Sequence, residues 1–269
     1  MSKAGDGLID LRAAAAQLGV HYQTAYGWVR TGRLRAELVA GRYMIARDAL
    51  DAVVVQRSAR HDPQPPGAKR LRHSAERMHE ALLAGDEPAA RRVALGLVNE
   101  GTSMVDVIQT VFVPSLIDIG QSWHDGRLTI SVEHRASAIV ERILGELAPN
   151  PRGRRRGTAV VAAISGDHHS LPTSMAAMAL RDDNWHVEHL GANMPPDELV
   201  RFCAAHVVDL TVITSTNLDT AGAADDAAVA LRAAGTPTIV GRPGRTLTDL
   251  VKLAREVSRN GHRETQRSS

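Results

Sequence analysis

The chain predicts three structural units in series: a small helix-turn-helix head with a β-hairpin, a four-helix bundle, and a doubly wound parallel α/β domain. Three observations carry this. Residues 1–60 hold two short amphipathic runs around a turn, followed by an alternating hairpin pattern. Residues 71–148 hold four runs of helical apolar spacing with short breaks. From Thr158 onward, β-branched apolar runs alternate with amphipathic ones, the pattern of repeated βα units on a parallel sheet.

Composition narrows the class. A chain of 269 residues suits two or three modest domains. Aromatic residues make up only 3%, so the cores are expected to be helix-rich and built from small residues. The single cysteine, Cys203, excludes an internal disulfide and fits a reducing compartment. The sequence has neither a membrane-length apolar run nor a signal-peptide core near Met1, so a soluble, cytoplasmic protein without a membrane partner is expected. Net charge is +2 overall, but residues 1–60 carry nine Lys/Arg against five Asp/Glu, or +4.

In the head, Asp10 caps a helix from Leu11 to Leu18, and Gly19 ends it. Val20-His21-Tyr22 is the turn, and Gln23 to Thr31 the second helix, the one that enters the major groove in helix-turn-helix proteins. Arg33–Val39 and Arg42–Ile45 alternate around Ala40-Gly41 as a hairpin wing, and Asp48 caps a third helix through Val55. Trp28 and Val29 read as core. This order resembles the MerR/excisionase-type winged helix. The resemblance implies that Gln23, Thr24, Tyr26, Arg30 and Arg42 face a double-stranded DNA operator, the arginines on phosphates and Gln23 and Thr24 near base edges. Residues 61–70 contain Pro63, Pro65, Pro66 and Gly67 and read as a linker.

The bundle, assigned to 71–150, has helices Leu71–Ala84, Glu87–Asn99, Ser103–Trp123 and Ser131–Leu147, with a kink expected at Pro114. Trp123 ends the third helix, and the adjacent pair Glu133-His134 opens the fourth. In the α/β domain, assigned to 156–258, the run Thr158–Ile164 leads into Asp167-His168-His169-Ser170-Leu171-Pro172 and then a helix from Thr173. Open α/β sheets bind ligands in such strand-to-helix loops. A neutral imidazole there can ligate a metal, and a carboxylate two residues earlier can hold its far nitrogen. Asp167-x-His169 has that spacing, and His168 does not. Residues 259–269 read as a disordered polar tail.

Trp123-x9-Glu133-His134 ahead of strand-Asp167-x-His169-helix resembles the cobalamin-dependent light-sensing regulators of the CarH/LitR type. The stretches SWHDGRLTISVEHRAS and GDHHSLPTSMAAMALRDDNWHVEHLGANMPPDEL also resemble that family, which the chain follows nearly throughout. The resemblance implies a Rossmann-like domain that binds adenosylcobalamin, with His169 ligating cobalt from below and Asp167 tuning it. The nucleotide tail would thread beside Ser215 and Gly241. Trp123 would cap the upper ligand, with Glu133 and His134 near the upper face, and His134 would take the metal once that ligand leaves. A homo-oligomer that changes with light would set DNA affinity, with no catalysis.

The chain departs from the family pattern at three places. Pro172 stands where glycine is expected, Ser215-Thr216-Asn217 precedes a Leu218 that comes one place late, and Gly241-Arg242 replaces Gly-Gly. Two other readings stay open: a corrinoid carrier subunit of a methyltransferase, and a regulator of this fold that binds no cobalamin or another tetrapyrrole. A carrier has no use for the head or for Trp123-x9-Glu133-His134.

Overall fold

The computed structural model describes residues 8–18, 20, 22–30, 34–39, 41–47, 49–50, 67–148, 153–216 and 218–267, the side chains of 68, 218 and 260–267 excepted. Most of the linker expected at 61–70 lies outside these residues. So does the head's third helix beyond Leu50, of which residues 47, 49 and 50 are helical. The chain divides into two compact units, Met1–Lys69 and Arg70–Ser269.

In the first unit, β1 (Leu8–Asp10), β2 (Glu37–Val39) and β3 (Arg42–Ala46) form an antiparallel sheet in the order β1-β3-β2. The wing is therefore three-stranded, because β1 pairs with the far edge of the hairpin. Asp10 accepts the Ala13 N–H at 2.7 Å and starts α1 (Leu11–Gln17). The second helix, α2, runs Tyr22–Arg30; it starts one residue earlier than the pattern suggested, and the expected last residue, Thr31, lies outside the described residues. Leu11, Ala14, Ala25, Leu34 and Ile45 form the core. Trp28 and Val29, expected inside it, pack against its edge and stay partly exposed.

The second unit opens with the bundle. Its first helix, α3, spans Ala68–Ala84, so residues at the end of the expected linker are already helical. Asp86 caps α4 (Glu87–Asn99) through the Ala89 N–H at 2.9 Å. Ser103 caps α5 (Met104–Val107), which continues through a π-turn, Ile108–Phe112, into α6 (Val113–His124). The simple kink expected at Pro114 is replaced by this widened turn. Proline offers no N–H and its ring crowds the carbonyl four residues back; a wider turn just before it relieves both. The last bundle helix is α7 (Ile130–Leu147). Phe112, Ile119, Ile139 and Ile143 are fully or almost fully buried at the centre.

The α/β half alternates β4 (Thr158–Ile164), α8 (Ser170–Asp182), β5 (His186–Met194), α9 (Pro196–Ala205), β6 (Leu210–Thr214), α10 (Ala221–Ala233), β7 (Thr238–Gly241) and α11 (Leu247–Arg267). The strands are parallel in the order β5-β4-β6-β7. One face packs on α8 and α11, the other on α9 and α10. Helix α8 belongs to two cores: Ala176, Ala177 and Leu180 join the sheet, while Met175 and Met178 join the bundle. It begins at Ser170, not Thr173, and α11 runs on to Arg267 where a disordered tail from 259 was expected. No helix among the described residues is long and apolar enough to cross a membrane.

Trp185 leads into β5 with no exposed surface. Trp185→Ala is expected to lower stability by about 3–5 kcal/mol, because the vacated volume cannot fully collapse. Denaturant titration of the full chain measures this.

Candidate functional site

Parallel strands β4 and β6 lie side by side at the centre of the sheet, and their connections leave in opposite directions, β4 toward β5 and β6 toward β7. Such a switch point opens a crevice at the strands' carboxyl ends. The loop after β4 carries Asp167 and His169, and the loop after β6 carries Ser215 and Thr216.

Asp167 is 1% exposed, and its carboxylate collects four donor contacts or more. Thr216 gives its N–H at 2.8 Å and its hydroxyl at 3.0 Å, and His169 gives its own N–H at 3.2 Å. The fourth is His169 Nδ1–H at 2.7 Å. A buried carboxylate that accepts from Nδ1 fixes the tautomer whose lone pair lies on Nε2. The His169 side chain is 63% exposed, so that lone pair is available to a metal. The carboxylate is bonded to His169 and not to its neighbour His168.

The loop is held from the edge strand as well. Asn193 N–H donates to the Asp167 carbonyl at 3.0 Å, and the Asn193 side chain accepts from Gly166 N–H at 2.9 Å. Asn193 sits at φ +58°, a left-handed conformation that asparagine tolerates better than most residues. Neither Asn193 nor Thr216 was singled out from the sequence as a site residue. Thr216 lies inside the Ser215-Thr216-Asn217 departure, and nothing in the spacing marks Asn193.

The departures acquire a local account. Pro172 is the third residue of α8, where a backbone N–H has no partner within the helix and positive φ is not required. Ser215 is buried, and its N–H donates to the Gly241 carbonyl at 2.8 Å, which joins the two residues expected beside the nucleotide tail. Arg242, following Gly241, pairs with Asp225 of α10. Asn217 lies outside the described residues. Next to Ser215, Thr214 Oγ1 is buried without a hydrogen-bond partner among the described residues, an unpaired group that costs free energy until a ligand satisfies it.

On the bundle side, Trp123 stands 43% exposed near the end of α6. His134 Nδ1–H donates to Glu133 Oε2 at 2.6 Å, and Ser137 donates to Glu133 Oε1 at 2.9 Å. His134 is thus held like His169, by a carboxylate on Nδ1 with a 70% exposed ring. Seven residues on from His134, Glu141 accepts from Ser170, the neighbour of His169. Positions i and i+7 share a helix face, so one stripe of α7 runs from His134 to the His169 loop over about 10 Å of axis. His189 of β5, also unmarked by the sequence, extends this contact. Its Nε2–H donates to Thr173 Oγ1 at 2.8 Å, and Thr173 donates to the Ser170 carbonyl at 2.6 Å. Burial first, then the Arg181 charge, pushes the His189 pKa below its usual value, against the pull of Glu141.

A helix-turn-helix head, a helical bundle and a switch-point histidine held by a buried carboxylate define a class, and the family matches agree with it. Residues 8–58 match the Helix-turn-helix domain, and residues 74–148 and 157–250 match two families, each described as a B12 binding domain. The chain is similar to repressors of the CarH type. It is 30% identical over 202 residues to the HTH-type transcriptional repressor CarH of Myxococcus xanthus, covering 72% of this chain and 64% of that one. It is 29% identical over 160 residues to the repressor CarA of the same organism, covering 56% and 50%. The chain thus spans less than two thirds of the length of either relative. The monomethylamine corrinoid protein of Methanosarcina barkeri shares the fold, with a TM-score of 0.57 at 15% identity over 69% of this chain and 98% of that one. The residues at the switch point fit a cobalamin: an imidazole with its outer nitrogen free for cobalt, and an unsatisfied hydroxyl at Thr214 beside Ser215.

The five residues expected on DNA lie on α2 and the wing. Gln23, Arg30 and Arg42 are exposed. Thr24 is partly buried, and Tyr26 packs edge-on against Tyr43 of β3 at 5.6 Å, which ties α2 to the wing.

Proposed function

We propose that the chain is a transcriptional regulator that binds operator DNA through its head and adenosylcobalamin between bundle and α/β domain. The observation that carries the reading is the Asp167–His169 pair at the switch point, with Nε2 turned outward. When bound, adenosylcobalamin supplies a cobalt centre and a Co–C bond that light breaks. His169 would hold the metal, and Asp167, fixed by Thr216, would hold His169. Ser215 and Gly241 would hold the nucleotide tail, and Trp123, Glu133 and His134 would hold the group from the bundle. The working protein is a cytoplasmic homo-oligomer, and its DNA affinity follows its assembly state. The head and the Trp123-x9-Glu133-His134 pattern favour this over a corrinoid carrier. Dark titration with adenosylcobalamin tests the reading: a purified chain that stays colourless after gel filtration rules it out.

Arg30→Ala is expected to weaken DNA binding with little change in sequence preference, lowering the slope of log K against log salt by about one. Fluorescence anisotropy at several salt concentrations measures both. A head that binds duplex DNA without salt dependence is not the electrostatic reader proposed.

A further inference from the structure

A second positive surface lies in the larger unit, outside the head and away from the His169 loop. Residues 61–269 carry 23 Lys/Arg against 25 Asp/Glu, so this part of the chain as a whole repels a polyanion. Cations nevertheless gather where β4 begins. Arg154, Arg155 and Arg156 precede the strand, and Lys252, Arg255 and Arg259 occupy positions i, i+3 and i+7 on α11, one helical stripe. The two groups are fixed together. Ser258 of α11 donates to the Arg156 carbonyl at 3.0 Å, and Asn184 donates to the Arg154 carbonyl at 2.7 Å.

The cleft of about 540 Å³ beneath them is lined by three carboxylates, each already engaged. Asp183 is buried under Arg156 at 3.0 Å and Arg255 at 2.6 Å. Asp182 accepts the Met104 backbone N–H, and Asp106 accepts from Ser103 at 2.7 Å. Asp249, one turn before Lys252, is bound to Thr246 at 2.8 Å. Arg156 and Arg255 therefore serve the fold, while Arg154, Arg155, Lys252 and Arg259 face outward. Among the described residues none of these four has a carboxylate at ion-pair distance, and exposed Glu256 leaves the rim with an excess of positive charge.

We propose that this strip grips the phosphate backbone of duplex DNA beside the site that the head reads, with no sequence preference of its own. The inference rests on the DNA-binding reading above and extends it to a second surface. Lys252 and Arg259 are about 10 Å apart along the helix axis, far enough to meet different phosphates of one DNA strand. A strip across two elements suits a repeating anion better than a single small one, and arginine's planar fork suits phosphate oxygens.

The test uses the full chain and two duplexes: a short site enriched by that chain from a random-sequence library, and the same site with about five base pairs of unrelated sequence on each side, less than the one-turn spacing that a second bound head needs. The native chain is expected to bind the longer duplex about tenfold more tightly at low salt, with a salt slope steeper by about three to four. R154A/R155A/K252A/R259A is expected to erase that difference and keep its affinity for the short duplex, while a native circular dichroism spectrum and unfolding midpoint report that the larger unit folds. R154K/R155K/R259K is expected to preserve the difference. A native chain that binds both duplexes equally overturns the proposal and spares the head's function. So does an alanine variant that still prefers the longer one. Failure to enrich any duplex overturns both readings. If the two duplexes are bound alike while the native chain, and not the alanine variant, sediments with phosphatidylserine vesicles, the strip serves an anionic membrane instead.

Discussion

In His169→Ala, the full chain loaded with adenosylcobalamin in the dark loses the base-off, histidine-ligated absorbance spectrum, whereas His168→Ala keeps it. The asymmetry follows from one carboxylate. Asp167 is buried, oriented by two donors from Thr216, and bonded to Nδ1 of His169, so only that ring is held with a lone pair directed outward. Asp167→Asn keeps the imidazole but loses the anion behind it, and affinity is expected to fall about 10- to 100-fold, the range for partners that orient a metal ligand. Absorbance titration of the three variants separates the roles. Survival of the histidine-ligated spectrum in His169→Ala with its loss in His168→Ala means that the ligand is the other histidine. No spectral change in any of them means that no histidine in this loop ligates cobalt.

The second large effect concerns Trp123 and His134. Trp123 leaves 43% of its surface to solvent at the end of α6, an aromatic face without a full packing partner. A bulky upper ligand would bury that face, so on the proposed reading Trp123→Ala is expected to weaken dark binding of adenosylcobalamin by about tenfold or more and leave hydroxocobalamin nearly unaffected. His134 is held by Glu133 with its outer nitrogen exposed, and its stripe of α7 leads to the His169 loop through Glu141 and Ser170. Were His134 to take the metal after illumination, α7 would be drawn from that contact, and only differential contacts of the ligand would bias such a shift. His134→Ala is therefore expected to spare dark binding and to remove the stable two-histidine spectrum after illumination. His124 ends the same helix turn as Trp123, so His124→Ala is the necessary companion: loss of the lit spectrum there, with retention in His134→Ala, moves the role to His124. Light scattering and DNA binding in dark and light complete the test. Identical assembly and affinity in both states exclude a light switch and leave plain cobalamin sensing.

The parts of the fold legible in the sequence were those governed by periodicity. Helix α4 and strands β4 and β6 have the bounds that their apolar spacing indicates. Misjudged boundaries trace to single residues whose effect depends on context. Pro172 looks like a helix breaker, yet in a first turn it interrupts no hydrogen bond, so α8 starts ahead of it. Pro114 was read as a kink, but the chain absorbs it in a π-turn that spacing alone does not distinguish from α-helix. At the site, Asp167 and His169 were visible because they are two residues apart in one loop. Thr216 and Asn193 were not, because they reach Asp167 from the next strands, a proximity that only the sheet order creates.

Helix α8 sends Met175 and Met178 into the bundle and Ala176, Ala177 and Leu180 into the sheet. A sheet domain cut away from its bundle would carry two bare thioethers and Leu171 on its surface, an invitation to aggregate. The bundle without α8 would lose part of its floor. Exchange of either half alone would therefore bare apolar surface, whereas a break ahead of Arg70 falls between the two compact units and bares none of these residues.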